Sequence, residues 1–212
     1  MTTTAPITTT PGPASAIRRP RFGFALAIVT QIAMMTGASA PSPFYPVLAA
    51  EIGFDAIVIS AVFAVYAIAL LLALLSAGSL SDHIGRRPVA IGGLLLLAGS
   101  MLLFWHADSV ATLMLARILQ GAASGVLIAA LSAAALDLAP GGRSRVAALW
   151  NALSPGIGLA LGALVSGIAL DVTGQPLLDV FAPLTVIYLV LAALFFLCLL
   201  YTSDAADEGL GV

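Results

Sequence analysis

The chain has 212 residues, 61% of them hydrophobic and only 8% charged, with a net charge of −2. A soluble domain carries about a quarter charged residues, so water is excluded as its main solvent. Lysine is absent and all eight cations are arginines, which removes any lysine-bearing phosphate loop and with it ATP-driven pumping by this sequence.

Residues 1–21 read as a disordered cytoplasmic tail, rich in threonine and proline up to Ala16 and basic at Arg18, Arg19 and Arg21. The apolar run that follows, ending near Ala38-Ser39-Ala40, superficially resembles a cleavable signal. Pro41 fits poorly just after such a cut, and the run continues long enough to span a bilayer, so the segment reads as a retained helix.

A hydrocarbon core about 30 Å thick needs roughly 20 apolar residues per helix. Residues 22–201 supply six such segments: Phe22–Ser42, Ala56–Leu80, Val89–Trp105, Val110–Leu138, Val146–Leu170 and Val180–Tyr201. They are broken at Pro41-Ser42-Pro43, at the cluster around Asp82, at His106-Ala107-Asp108, at Pro140-Gly141-Gly142 and at Thr173-Gly174-Gln175-Pro176. Backbone polar groups cannot stay unpaired in lipid, so the runs are expected as helices, giving an all-α membrane protein. Cys198 lies in an apolar run and has no second cysteine to pair with. Neither a metal-ligand cluster nor a serine–histidine arrangement is present, so no metal, cofactor, nucleic-acid partner or enzymatic reaction is expected.

Alternating six helices puts Arg18, Arg19, Arg21, Arg86, Arg87, Arg143 and Arg145 on one side, and Glu51, Asp55, Asp108, Asp171 and Asp179 on the other. The positive-inside rule then predicts a cytoplasmic N-terminus in a plasma (bacterial inner) membrane. Gly78-x-x-x-Asp82-x-x-Gly85 is echoed by Gly167-x-x-x-Asp171-x-x-Gly174, each following the second helix of a three-helix set. Two inverted three-helix repeats are the expectation, a signature of secondary transporters.

These residues resemble a known family. Gly78-x-Leu80-Ser81-Asp82-His83-x-Gly85-Arg86-Arg87 is similar to the loop between the second and third helices of the major facilitator superfamily. Arg117-Ile118-Leu119-Gln120-Gly121 resembles that family's arginine motif in the fourth helix. The resemblance covers roughly residues 18–200 and implies the N-terminal six-helix half of a transporter built from two such halves. It implies a small-molecule substrate, a lipid bilayer as surroundings, and as partner a missing C-terminal six-helix half or a second copy.

By the same resemblance, Asp82 latches onto a helix end of the other half, with Gly78 and Gly85 allowing close approach and a tight turn, and Arg86 and Arg87 holding headgroups or acids. The bland alternative is a charged loop that anchors topology. Asp137 sits at a helix C-terminus, where the dipole disfavours an acid; either Arg86, Arg143 or Arg145 answers it, or water does.

Arg117 is the lone charge well inside a span, which marks it as a candidate for substrate handling or coupling together with Gln120, Gln31 and Met35. Its competing role is structural, bonding carbonyls of the first span or Gln120. Gly121, Gly125, Gly158 and Gly162 have the spacing of close helix contacts, and Pro155 falls where antiporters of the family carry a glycine-proline motif. Here serine precedes that proline, a departure that weakens antiport. The apolar cavity face favours efflux of apolar or amphipathic compounds. Residues 202–212 are acidic where the family has a basic linker, and read as a disordered or non-native tail after a truncation near Tyr201. A non-transporting module that assembles with other halves is the alternative function.

Overall fold

The computed structural model describes residues 13–139 and 144–207, with side chains over 21–76, 85–139 and 145–197. Gly78 and Asp82 are thus followed as backbone only, and Arg143 lies outside the described residues. The helices in chain order are α1 (Pro13–Ser39), α2 (Tyr45–Ile52), α3 (Ala56–Ile84), α4 (Arg86–Trp105), α5 (Val110–Asp137), α6 (Ser144–Val172) and α7 (Pro176–Asp207), with a 3₁₀ turn at Ser42–Phe44. Among the described residues there is no strand, and six helices are long and apolar enough to cross a membrane. The protein is an all-α integral membrane protein.

Local chemistry sets the boundaries. Asp55 Oδ1 accepts from the backbone N–H groups of Ile57 and Val58, both at 3.1 Å, and opens α3. Ser109 Oγ accepts from the Thr112 N–H at 3.2 Å and opens α5. Gly53 and Gly85 turn the chain with φ of 82° and 92°, values only glycine adopts cheaply. Gly85 is the tight turn expected between α3 and α4.

Because the spans alternate, the described arginines Arg21, Arg86, Arg87 and Arg145 gather at one end of the bundle, and Glu51, Asp55, Asp108, Asp171 and Asp179 at the other. We call these the basic and acidic ends. α5 is the central element, packing along α1, α3 and α4; α4 lies against α7, and α1 against α6. Leu94, Leu97, Met101 and Phe104 of α4 meet Leu113 and Leu127 of α5 and Phe181 and Tyr188 of α7 in the apolar core.

Glycines set the closest approaches. A Cβ on Gly121 or Gly125 would strike the backbone carbonyls of Tyr66 and Leu70 in α3. One on Gly158 or Gly162 would strike those of Ile32 and Thr36 in α1. Without side chains at these four points the backbones touch, which is how membrane helices gain packing when lipid offers no hydrophobic contrast.

Several boundaries differ from the sequence expectation. The stretch after Pro41, read as a plain break, holds the 3₁₀ turn and α2. Prolines 41, 43 and 46 do not prevent this, because the first turn of a helix needs no N–H donors from them, and Phe44, Tyr45 and Leu48 gain burial there. Residues 13–21, expected within the tail, continue α1, and α7 runs through 202–207. Extending an existing helix adds a bond per residue without a new nucleation cost. α7 starts at Pro176 instead of Val180, with proline in the first-turn position it favours.

Candidate functional site

Two polar clusters lie inside the bundle, one towards each end. Towards the acidic end, α5 carries Arg117 with 1% of its surface exposed. α1 ends nearby at Ser39, so its last carbonyls have no helical donors of their own. Arg117 Nη1 donates to the Ala38 carbonyl at 3.1 Å and to Gln120 Oε1 at 2.6 Å. Gln120 Nε2 donates to the Gly37 carbonyl at 2.7 Å. Arg117 Nε donates to the Tyr45 hydroxyl. Two side chains one turn apart on α5 thus cap the C-terminus of α1 from outside, and Arg117 pins the start of α2 to it.

No carboxylate pairs with Arg117 among the described residues. Its Cζ lies 5.3 Å from the ring centroids of Tyr45 and Tyr66, and 5.4 Å from those of Phe63 and Phe104. The negative faces of these rings and the negative end of the α1 dipole stand in for a counter-ion. A charge inside the membrane costs several kcal/mol. Charge-assisted hydrogen bonds of roughly 1.5–3 kcal/mol each, with ring contacts of about 0.5–2 kcal/mol each, are of the size needed to offset that. Nη2 alone has no partner.

Towards the basic end, Gln31 of α1 is 3% exposed and donates from Nε2 to Ser132 Oγ of α5 at 3.4 Å. Asn151 of α6 donates from Nδ2 to the Ser132 carbonyl at 3.4 Å. Gln31 Oε1 and Asn151 Oδ1 are buried without partners. Pro155 compounds this, since it has no N–H to return to the Asn151 backbone carbonyl four residues earlier.

At the basic end itself, Arg86 Nη1 pairs with Asp137 Oδ2, and both side chains are largely exposed. The acid at the unfavourable end of α5 therefore has its partner, and the α3–α4 turn is tied to α5. Arg145 is exposed on α6, and Arg87 is half-buried.

The sequence candidates sort into separate places. Arg117 and Gln120 come together, as do Arg86 and Asp137. Gln31 stands apart from Arg117 and meets Ser132 instead. Met35 lies in the core with its Cβ at the closest approach of Gly158. Pro155 lies within α6. The side chain of Asp82 lies outside the described residues. Tyr45, Phe63, Tyr66 and Phe104 were not singled out from the sequence, nor were Ser132 and Asn151. Phe63 and Tyr66 carried a usable signal, an aromatic pair three residues apart on one face of α3.

A six-span bundle with this turn and this arginine accords with a family comparison in which the model of the Major Facilitator Superfamily matches residues 27–209. The chain belongs to the major facilitator superfamily. No curated protein matches it. As a superfamily member it is a membrane transporter by kind, and the match runs through all six spans and both polar clusters.

Proposed function

We propose that this chain works as one half of a secondary active transporter that carries a small solute across the bilayer by alternating access. The observation that carries the reading is the superfamily match from residue 27 to residue 209, across all the spans. The packing pattern supports inverted three-helix repeats. α3 lies on α5 as α6 lies on α1, and α4 lies on α7, pairings that survive exchange of α1, α3, α4 for α5, α6, α7, although the close packing of α4 on α5 has only a slight counterpart between α7 and α1. Gly78-x-x-x-Asp82 ends α3 and Gly167-x-x-x-Asp171 ends α6, at opposite ends of the bundle. The clustering of arginines at one end supports a cytoplasmic N-terminus in a bacterial inner membrane. The apolar interior around few polar groups supports efflux of apolar or amphipathic compounds. The partner is the C-terminal six-helix half or a second copy.

In this reading Asp82 is the latch between halves, steadied by the Arg86–Asp137 tie beside it. The test is counterflow of labelled amphipathic solutes in proteoliposomes, with Asp82→Asn beside the wild type. A latch on a helix end contributes about 1 kcal/mol, so exchange in the variant is expected to change about fivefold. Equal exchange by the two proteins rejects the latch, and no exchange by either rejects transport by this chain.

A second reading, a non-transporting module that assembles with other halves, draws support from α3, where Leu71, Leu72 and Leu75 are 56%, 62% and 81% exposed. Stable co-purification with a separate six-helix half, without counterflow, is the outcome that would favour it.

A further inference from the structure

At the acidic end, α2, the end of α4, the end of α6 and the start of α7 enclose a cavity of about 290 Å³. Pockets that take drug-sized ligands measure about 300–1,000 Å³, so this one suits a small occupant. Phe44 and Leu48 of its lining are buried, and Trp105 and Leu170 add half-buried apolar surface. Glu51 is the charged residue in the lining.

That acid has no work in the fold. Among the described residues no hydrogen bond or ion pair engages the Glu51 carboxylate. Asp55 and Asp108 at the same end are both used: the first caps α3, and the second accepts from Thr112 Oγ1 at 3.3 Å.

The charges around the cavity favour one sign. Leu170 and Leu178 of the lining are followed at once by the exposed acids Asp171 and Asp179. α7 begins here, and Asp179 in its first turn offsets the positive end of its dipole. Arg117 does not line the cavity and is enclosed by Ala38, Gln120, Tyr45 and four rings. An anion would therefore be repelled, and a neutral solute would leave Glu51 unanswered. An organic ammonium satisfies all three features: its charge suits the carboxylate and the indole quadrupole, and its alkyl groups cover the apolar wall. The Trp105 ring also meets the His106 ring at 4.6 Å, a contact that steadies the indole.

We propose that the cavity lined by Glu51 and Trp105 binds a small organic ammonium, free or carried on a lipid headgroup. The proposal needs no transport and holds whether or not the chain carries a solute.

The test uses the full chain with Trp150→Phe, which leaves Trp105 as the single tryptophan, in maltoside micelles that carry neither charge nor ammonium. Choline is titrated beside 3,3-dimethylbutan-1-ol, its neutral isostere, while the emission of Trp105 is followed. A saturable shift with choline is expected, at an affinity at least about tenfold above that of the alcohol. Glu51→Gln should weaken choline about fivefold and leave the alcohol unchanged. Asp55→Asn, which keeps a good helix cap and lies outside the lining, should change choline affinity less than about twofold. Equal responses to choline and the alcohol overturn the proposal, as does the lack of a saturable shift. A choline affinity that Glu51→Gln leaves unaltered, or that Asp55→Asn lowers as much, overturns it too. Phosphatidylcholine added to the micelles separates the two sources, both of which uphold the ammonium chemistry. Loss of the choline response assigns the site to a headgroup, and an unchanged response assigns it to a free cation. Failure of counterflow has no bearing on these titrations.

Discussion

The two polar clusters inside the bundle differ in how completely the protein answers its own groups. Around Arg117 most donors are taken: a carbonyl of α1, a glutamine and a phenol accept from Nη1 and Nε, four aromatic faces surround the guanidinium, and only Nη2 is left over. Around Ser132 two amide nitrogens are used at long distance and two oxygens are left over. The charged group, which would be the costlier to strand, is the one the fold encloses. The neutral groups, which are cheaper to leave open, are the ones left available. The two clusters differ in how fully they are satisfied, and each prediction below presses on that difference.

The largest effect is expected at the clasp. Arg117→Met keeps an unbranched apolar stem and removes the donors, leaving the Ala38 carbonyl, Gln120 Oε1 and the Tyr45 hydroxyl without their partner. Each buried acceptor left unsatisfied costs about 1–3 kcal/mol, offset in part because a charge is no longer held inside the membrane, so unfolding of the variant in mixed micelles should begin at lower denaturant. Arg117→Lys should recover only part of the loss, because an ammonium cannot reach three acceptors in the geometry of a planar fork. A Met variant as stable as the wild type would mean that Arg117 is not a clasp.

Next comes the packing that holds α5 against α3. Gly125→Val drives a branched side chain into the Leu70 carbonyl, which is backbone and cannot rotate aside. Overpacking of this kind costs roughly 1–3 kcal/mol. Since the same contact presents Phe63 and Tyr66 to Arg117, the variant should also loosen the clasp, and its effect should be less than additive with Arg117→Met. Full additivity would separate the glycine contact from the cluster.

How much of this was legible in the sequence follows the range of the interactions. The spans, the turn at Gly85 and the glycine contacts are written in runs and spacings, and the superfamily follows from them. Arg117 was conspicuous as a charge among apolar residues, and Gln120 stood one turn away. The cap itself was not legible, because it depends on where α1 ends, and Pro41-Ser42-Pro43 read as a plain break where the 3₁₀ turn and α2 form. Ser132 and Asn151 were invisible for a different reason: a serine or asparagine in a long apolar run is ordinary, and only the convergence of α1, α5 and α6 makes three of them neighbours.

A smaller effect is expected at the basic end. Arg86→Ala breaks the pair with Asp137, but both side chains are largely exposed, and exposed ion pairs contribute about 0–1 kcal/mol. Its stability cost should therefore fall within that range and shrink further in high salt. A loss as large as that of Arg117→Met would mean that the exposed pair supports the bundle as the buried clasp does.

The smallest effect on stability is expected at Gln31, and there the sign matters more than the size. Gln31→Leu removes one hydrogen bond at 3.4 Å and, with it, a buried oxygen that has no partner. The first loss costs about 0.5–1.5 kcal/mol, while relief of an unsatisfied acceptor returns about 1–3 kcal/mol. The variant should be as stable as the wild type or slightly more so. If Gln31→Leu instead unfolded as readily as Arg117→Met, the leftover oxygens would have hidden partners, and both clusters would have to be read as clasps.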